Sequence, residues 1–75
     1  MNVYEQLATR VRTLRNKKGW SQEELADRCD LHRTYISHIE NAKREISVET
    51  LCKIASGFDI APAELLEKIR LISKN

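Results

Sequence analysis

A set of polar side chains suited to nucleic-acid contact lies within residues 33–41. In a helix that turns about 100° per residue, Ile36 and Ile39 lie on one side and are expected to pack inward. The opposite side carries Thr34, Ser37, His38 and Asn41, and it is flanked by Arg33 and Tyr35. A guanidinium, two hydroxyls, an imidazole and an amide are groups that bind base edges and phosphates. The alternative is an ordinary solvated helix face.

Cys29 and His32 are possible metal ligands because they have C-x-x-H spacing, with His38 and Cys52 further along. Cys29 lies on an apolar stripe and Cys52 is alone, which favours a buried, reduced thiol at Cys29 over a zinc site. Two widely spaced cysteines in a chain without an export signal also do not indicate a disulfide. We expect no metal and no cofactor.

The sequence contains no persuasive catalytic set. The acids Glu23, Glu24 and Asp27 fit the start and the solvent face of a helix. There is no glycine-rich phosphate loop, and no nucleophile has an evident base and orienting group. We therefore expect that the chain is not an enzyme.

Two short helices joined by a tight turn are predicted to position the polar set. Ser21 is a favourable N-cap residue, and Glu24 can complete a capping box. Trp20 and Leu25 are placed to form a hydrophobic staple. Leu25, Ala26 and Cys29 form an apolar stripe. The polar break at Asp30 ends this helix, Leu31 fills the turn, and the second helix starts near His32 or Arg33.

The segments SQEELADRC, DLH and RTYISHIEN resemble the helix-turn-helix of the Cro and phage-repressor (XRE-like) family. Within that family the nearest likeness is to the controller proteins of restriction-modification systems, through RTYIS-x-IE followed by Lys43 and Arg44. Two positions depart from the pattern. The family's turn commonly has Gly where this chain has Asp30, which tolerates the left-handed conformation at some cost. His32 replaces an N-capping Ser and is a poorer cap.

The resemblance covers most of the chain and implies an all-α, compact five-helix, lambda-repressor-like domain over residues 1–75, with the helix-turn-helix at about 21–41. The flanking patterns agree. Val3, Leu7, Ala8, Val11 and Leu14 predict a helix near residues 3–18 that Gly19 stops. Ser47 is predicted to cap a fourth helix whose inward face is Val48, Leu51, Ile54 and Ala55. Pro62 is predicted to start a last helix that runs to about Ile72.

Family relatives imply roles for particular residues. Arg15 is expected to pair with Glu40 and tie the first helix to the recognition helix. The candidate base contacts are Arg33, Thr34, Ser37 and His38. The candidate DNA-backbone contacts are Gln22, Tyr35, Asn41, Lys43 and Arg44. The last helix is expected to form a homodimer contact through Leu65, Leu66, Ile69 and Ile72, although part of this stripe must pack on its own domain.

Composition and charge are compatible with this interpretation. The chain has 75 residues, 41% of them apolar and 32% charged, and a formal net charge of +2. Basic residues concentrate at the amino end, where residues 1–20 contain five bases and one acid. Basic residues at the end of a helix also favour its dipole, which is a non-functional explanation. No apolar run approaches the length of a membrane span. Nothing resembles a signal peptide, so we expect a cytoplasmic protein with no membrane partner.

The leading hypothesis is a transcription regulator that binds double-stranded DNA as a homodimer on a pseudo-palindromic operator, with RNA polymerase as a further partner to consider. The alternatives are a phage-type repressor, an antitoxin, or a protein-interaction module that uses the same fold. The sequence does not reveal the operator or the sign of regulation.

Overall fold

The computed structural model describes residues 1–43 and 45–71, and every regular element within them is a helix. The helices are α1 (Val3–Lys18), α2 (Gln22–Cys29), α3 (Arg33–Glu40), α4 (Val48–Gly57) and α5 (Pro62–Leu65). The all-α, five-helix prediction is confirmed for this part of the chain. None of these helices is both long enough and apolar enough to cross a membrane.

Helix α1 has the predicted bounds because both of its ends are closed by local bonds. The Asn2 side chain accepts a hydrogen bond from the Glu5 N–H at 2.8 Å, and Glu5 Oε1 accepts one from the Asn2 N–H at 2.9 Å. This reciprocal pair satisfies two backbone donors at the helix start. At the other end Gly19 has φ 73°, a left-handed conformation that glycine adopts without the clash of a Cβ.

Helix α2 begins at the predicted cap, but only half of the predicted capping box forms. Ser21 Oγ accepts a hydrogen bond from the Glu24 N–H at 3.1 Å. The Glu24 carboxylate does not return the bond and instead accepts one from Arg28 Nε at 2.9 Å. Trp20 packs against the core cluster that contains Leu25. Its ring also stacks on Phe58, with centroids 5.7 Å apart, and the Arg28 guanidinium lies 4.1 Å from the Trp20 centroid.

Residues 30–32 form a tight turn between α2 and α3. Asp30 has φ 56° and takes the left-handed position. The Leu31 N–H donates to the Ala26 carbonyl at 3.0 Å, which satisfies a free carbonyl at the end of α2. His32 is the N-cap of α3, and its Nδ1 accepts a hydrogen bond from the Thr34 N–H at 3.2 Å. The turn therefore forms with the two residues that depart from the family pattern.

The core contains apolar side chains from α1 to α5 and from the residue that follows α4. Its buried members are Leu7, Val11, Leu25, Ala26, Cys29, Ile36, Ile39, Ile54, Ala55, Phe58 and Leu65. Gly57 lets α4 approach α2 closely, since a Cβ at this position would collide with Cys29 Sγ. Helices α2 and α3 are thus held on a scaffold formed by α1 and α4.

Two sequence predictions about the carboxyl half are wrong. The sequence predicts Val48 on the inward face of α4, but 78% of its surface is exposed. It is the first residue of the helix, whereas the inward face consists of the buried Ile54 and Ala55 with the partly buried Leu51. Ser47 caps α4 as predicted, with its Oγ accepting from the Thr50 N–H at 3.1 Å.

The last helix is also much shorter than predicted. It starts at Pro62 as expected but ends at Leu65 rather than near Ile72, which itself lies outside the described residues. Lys68 has φ 68°, so the backbone leaves the helical conformation there. Gln6 of α1 then holds the chain, because its Nε2 donates to the Arg70 carbonyl at 2.9 Å and its Oε1 accepts from the Arg70 N–H at 3.2 Å.

Candidate nucleic-acid interface

Helix α3 separates its apolar and polar side chains as the sequence predicts. Ile36 and Ile39 are buried in the core. The four candidate base-contact residues lie outside it, with Arg33 and Thr34 exposed and Ser37 and His38 partly exposed. A short rigid helix therefore carries these four side chains at the protein surface, where a DNA groove can reach them.

The carboxyl end of α3 turns sharply and adds further polar groups to this surface. Asn41 Nδ2 donates to the Ser37 carbonyl at 2.8 Å and lies 3.4 Å from Ser37 Oγ. Ala42 has φ 55°, and the Lys43 N–H donates to the His38 carbonyl at 3.0 Å. The Asn41 and Lys43 side chains are exposed. Of the candidate backbone contacts, Arg44 lies outside the described residues, and Tyr35 is partly buried against the core cluster.

A buried ion pair ties α3 to α1. Arg15 Nε lies 2.6 Å from Glu40 Oε2, and Arg15 Nη2 lies 2.9 Å from Glu40 Oε1. Only 2% of the Glu40 side chain and 14% of the Arg15 side chain are exposed. The hydrogen bonds to Glu40 raise the pKa of Arg15 above its usual value. Arg15 Nη1 also donates to the Trp20 carbonyl at 2.8 Å, so one guanidinium joins α1, the end of α3 and the start of α2.

Gln22, the candidate phosphate contact on α2, is part of the same group of residues. Its Nε2 donates to Glu40 Oε1 at 3.2 Å, and the residue is partly exposed. Sequence reasoning placed Gln22 near a phosphate but missed its bond to Glu40. No local pattern signals this contact, because the two residues are 18 positions apart and lie on different helices.

A second connection that the sequence did not predict joins α1 to the loop after α3. The Tyr4 hydroxyl donates to Glu45 Oε2 at 3.0 Å. This hydrogen bond to a carboxylate raises the pKa of Tyr4. The contact spans 41 positions and therefore has no periodic signature.

The two cysteines lie in different environments. Cys29 is buried, with its Sγ 3.9 Å from the Ile54 carbonyl, and burial raises its pKa to about 11. Cys52 is exposed on α4. Over residues 1–43 and 45–71, no group of three or more His, Cys, Asp and Glu side chains is arranged to hold a metal ion.

The residues predicted to form a dimer contact differ in their exposure. Leu65 is fully buried in the core of its own chain, so its side chain has no surface to offer a partner in this conformation. Ile69 is partly buried against the same core, whereas 40% of Leu66 is exposed. Leu71, the last described residue, is 84% exposed.

The fold and the polar face of α3 together define a helix-turn-helix protein. The helix-turn-helix family model matches residues 11–65, and the chain belongs to this family. The chain is a DNA-binding transcription regulator, close to the controller proteins of restriction-modification systems. The XRE-like resemblance and the all-α fold class are thereby confirmed.

Individual relatives match over most of their length. Control protein C.BamHI of Bacillus amyloliquefaciens is 42% identical over 67 residues, which cover 88% of this chain and 83% of that protein. Control protein C.SmaI of Serratia marcescens is 38% identical over 68 residues, covering 91% and 81%. The crystal structure of the restriction-modification controller protein C.AhdI from Aeromonas hydrophila is similar with a TM-score of 0.79 and 39% identity, covering 83% of this chain and 94% of that one.

Proposed function

We propose that residues 1–75 form a single domain that binds a pseudo-palindromic DNA operator as a homodimer and controls the genes of a restriction-modification system. The observation that carries the proposal is the polar face of α3, which the buried Arg15–Glu40 pair fixes against α1. The similarity to C.BamHI and C.SmaI over most of each chain supports the restriction-modification assignment.

Base readout is assigned to α3 in the major groove. The Arg33 guanidinium is exposed at the first position of the helix and has the planar geometry for two hydrogen bonds to guanine. Thr34, Ser37 and His38 are the other candidate base contacts. Arg33 is the strongest of these candidates because a bidentate contact distinguishes one base pair from the other three.

Phosphate contacts are assigned to residues on either side of this face. Gln22 is the first residue of α2, where free backbone N–H groups and the helix dipole favour an anion. Tyr35, Asn41, Lys43 and Arg44 are the remaining candidates. These contacts would set the register of α3 in the groove, whereas the base contacts would supply sequence preference.

A two-fold dimer would present two α3 helices to DNA sites roughly 34 Å apart, which is one helical turn. Leu66 and Ile69 remain candidates for its interface because part of each side chain is exposed, and Ile72 remains an untested candidate. Leu65 would not contact a partner itself, since it is buried in the core of its own chain.

The test compares Arg33→Ala with Lys43→Ala on a selected operator and on a scrambled duplex at two salt concentrations. Both residues are exposed, so both variants should keep the fold. Arg33→Ala should lose about 1–3 kcal/mol of discrimination at one base position per half-site. Lys43→Ala should weaken both duplexes equally and reduce the salt slope by about 1.

An Arg33→Ala protein that keeps its full preference for the operator would remove Arg33 from the readout. Sedimentation of the wild-type chain tests assembly separately. A stable monomer that binds no DNA would contradict the proposed function and favour the antitoxin or protein-interaction alternative.

A further inference from the structure

The Arg15–Glu40 pair has a third member, which lies on the proposed DNA-binding surface. Glu40 Oε1 accepts from Arg15 Nη2 at 2.9 Å and from Gln22 Nε2 at 3.2 Å. The Glu40 side chain is 2% exposed, whereas Gln22 is partly exposed. A buried carboxylate on α3 is therefore bonded directly to a surface amide on α2.

This contact fixes which end of the Gln22 amide faces the protein. An ionised carboxylate can only accept hydrogen bonds, so Glu40 selects the NH₂ group of Gln22 and not its carbonyl oxygen. The amide nitrogen carries two protons, and the bond to Glu40 uses one of them. The second N–H remains able to donate to another acceptor.

A phosphate oxygen is an acceptor that suits this second N–H. Gln22 is the first residue of α2, and the first backbone N–H groups of a helix have no partner within the helix. Ser21 Oγ satisfies the Glu24 N–H further along. The preset side-chain donor thus lies beside backbone donors that also suit an anion.

We propose that Glu40 is a positioning residue for DNA binding that acts through Gln22. It orders the Gln22 amide before DNA arrives, so that less side-chain freedom is lost when the phosphate contact forms. This inference rests on the proposed function, because it requires that Gln22 contacts the DNA backbone. It gives the Arg15–Glu40 pair a role in affinity that is separate from its role in holding the helices together.

The experiment is a double-mutant cycle on affinity for a duplex selected from a random pool with the wild-type protein. Gln22→Met keeps the length of the side chain and removes its hydrogen bonds. Glu40→Gln keeps the shape and removes the charge. In the wild-type background Glu40→Gln should weaken binding roughly two- to tenfold per half-site, the range expected from ordering one flexible side chain. In the Gln22→Met background the same change should weaken binding less, because only its effect through the position of α3 remains.

All affinities are corrected for the folded fraction, measured by circular dichroism at the same temperature. If Glu40→Gln weakened binding equally in both backgrounds, Glu40 would act only through the fold and the inference would be overturned. A matched cycle between Gln22→Met and Arg33→Ala should be additive, since the two side chains are assigned to different contacts. Failure of the wild-type protein to select any duplex would instead contradict the proposed function.

A second measurement uses the wild-type protein and applies even if Glu40→Gln does not fold. The two side-chain amide protons of Gln22 are observed by NMR with ¹⁵N-labelled protein while the selected duplex is added. One resonance should keep the shift of a proton bonded to Glu40, and the other should move on binding. An equal response of both protons to DNA would overturn the inference.

Discussion

Helix α3 and the segment 62–71 both carry branched apolar residues at helical spacing, yet they are ordered by different means. Local bonds close α3 at both ends, with His32 at its start and Asn41 at its finish. The segment 62–71 is helical only as far as Leu65, and Lys68 then takes a left-handed conformation. From there a distant side chain, Gln6, holds the backbone at Arg70.

The difference shows that apolar spacing indicates which side chains are buried but not how far a helix continues. In α3 the helix itself sets the angle between the buried Ile36 and the exposed Thr34, so its polar face is regular. After Leu65 the backbone continues in single turns, with the Ile69 N–H donating to the Leu66 carbonyl at 3.0 Å, and the positive φ of Lys68 interrupts the helical spacing of the side chains. The proposed base-reading surface is therefore regular, whereas the proposed dimer surface is not.

The largest expected effect comes from breaking the ion pair that fixes α3. Glu40→Ala leaves the Arg15 guanidinium without its carboxylate and should lower the free energy of unfolding by about 3–5 kcal/mol. The lower end is expected because 14% of Arg15 still reaches solvent. The measurement is urea denaturation followed by circular dichroism.

Glu67→Ala is the matched control, since Glu67 also pairs with an arginine but at 3.8 Å and with 65% of its side chain exposed. A surface pair of this kind contributes about 0–1 kcal/mol. Equal losses for the two variants would show that burial does not distinguish the pairs, and α3 would not be held as described.

The next largest effect distinguishes Leu65, in the core, from Leu66, on the surface after α5. Leu65 is fully buried, so Leu65→Ala should cost about 2–5 kcal/mol of stability at protein concentrations where the chain is monomeric. Leu66→Ala should change monomer stability by no more than about 0.5 kcal/mol, because that side chain is partly exposed. Urea denaturation over a range of protein concentrations measures both.

Sedimentation equilibrium then tests the dimer directly. Leu66→Ala should weaken self-association if this surface forms the interface. A Leu66→Ala protein that associates as strongly as wild type would place the interface elsewhere, and the exposed Val48 would be the next residue to change.

The smallest effect concerns the two hydrogen bonds between Gln6 and Arg70 near the end of the described chain. Gln6→Ala removes two hydrogen bonds to Arg70 at the surface and should cost about 0.5–1.5 kcal/mol. Hydrogen exchange of the Arg70 amide should become faster, because its acceptor is lost. Thr9→Ala is the control, because Thr9 is exposed on the same helix. Unchanged protection of the Arg70 amide would show that its hydrogen bond to Gln6 does not hold this segment.

The ends of most helices were predictable because each depends on a residue close to the end. Ser21, Ser47 and Pro62 mark helix starts, and Gly19 marks a helix end through its positive φ. The end of α5 was not predictable from such signals. Lys68 has no sequence feature that favours a left-handed conformation, and the bond between Gln6 and Arg70 spans 64 positions.

The candidate site was predictable to a similar extent. The polar face of α3 follows from helical spacing, and Arg15 was matched to Glu40 only through the family resemblance. Neither helical spacing nor the family resemblance predicted the contact of Gln22 with Glu40 or that of Tyr4 with Glu45. Both join side chains from different elements, and their geometry exists only after the helices have packed.

The stacking of Arg28 and Phe58 on Trp20 allows unfolding to be followed by intrinsic fluorescence. Trp20 is the one tryptophan in the chain, so intrinsic indole fluorescence has a single source. The ring joins the start of α2 to the end of α4 and lies between a cation and another aromatic ring. Its emission therefore follows the separation of these two helices during unfolding. Agreement of this signal with circular dichroism would show that the helices and their packing are lost in one cooperative step.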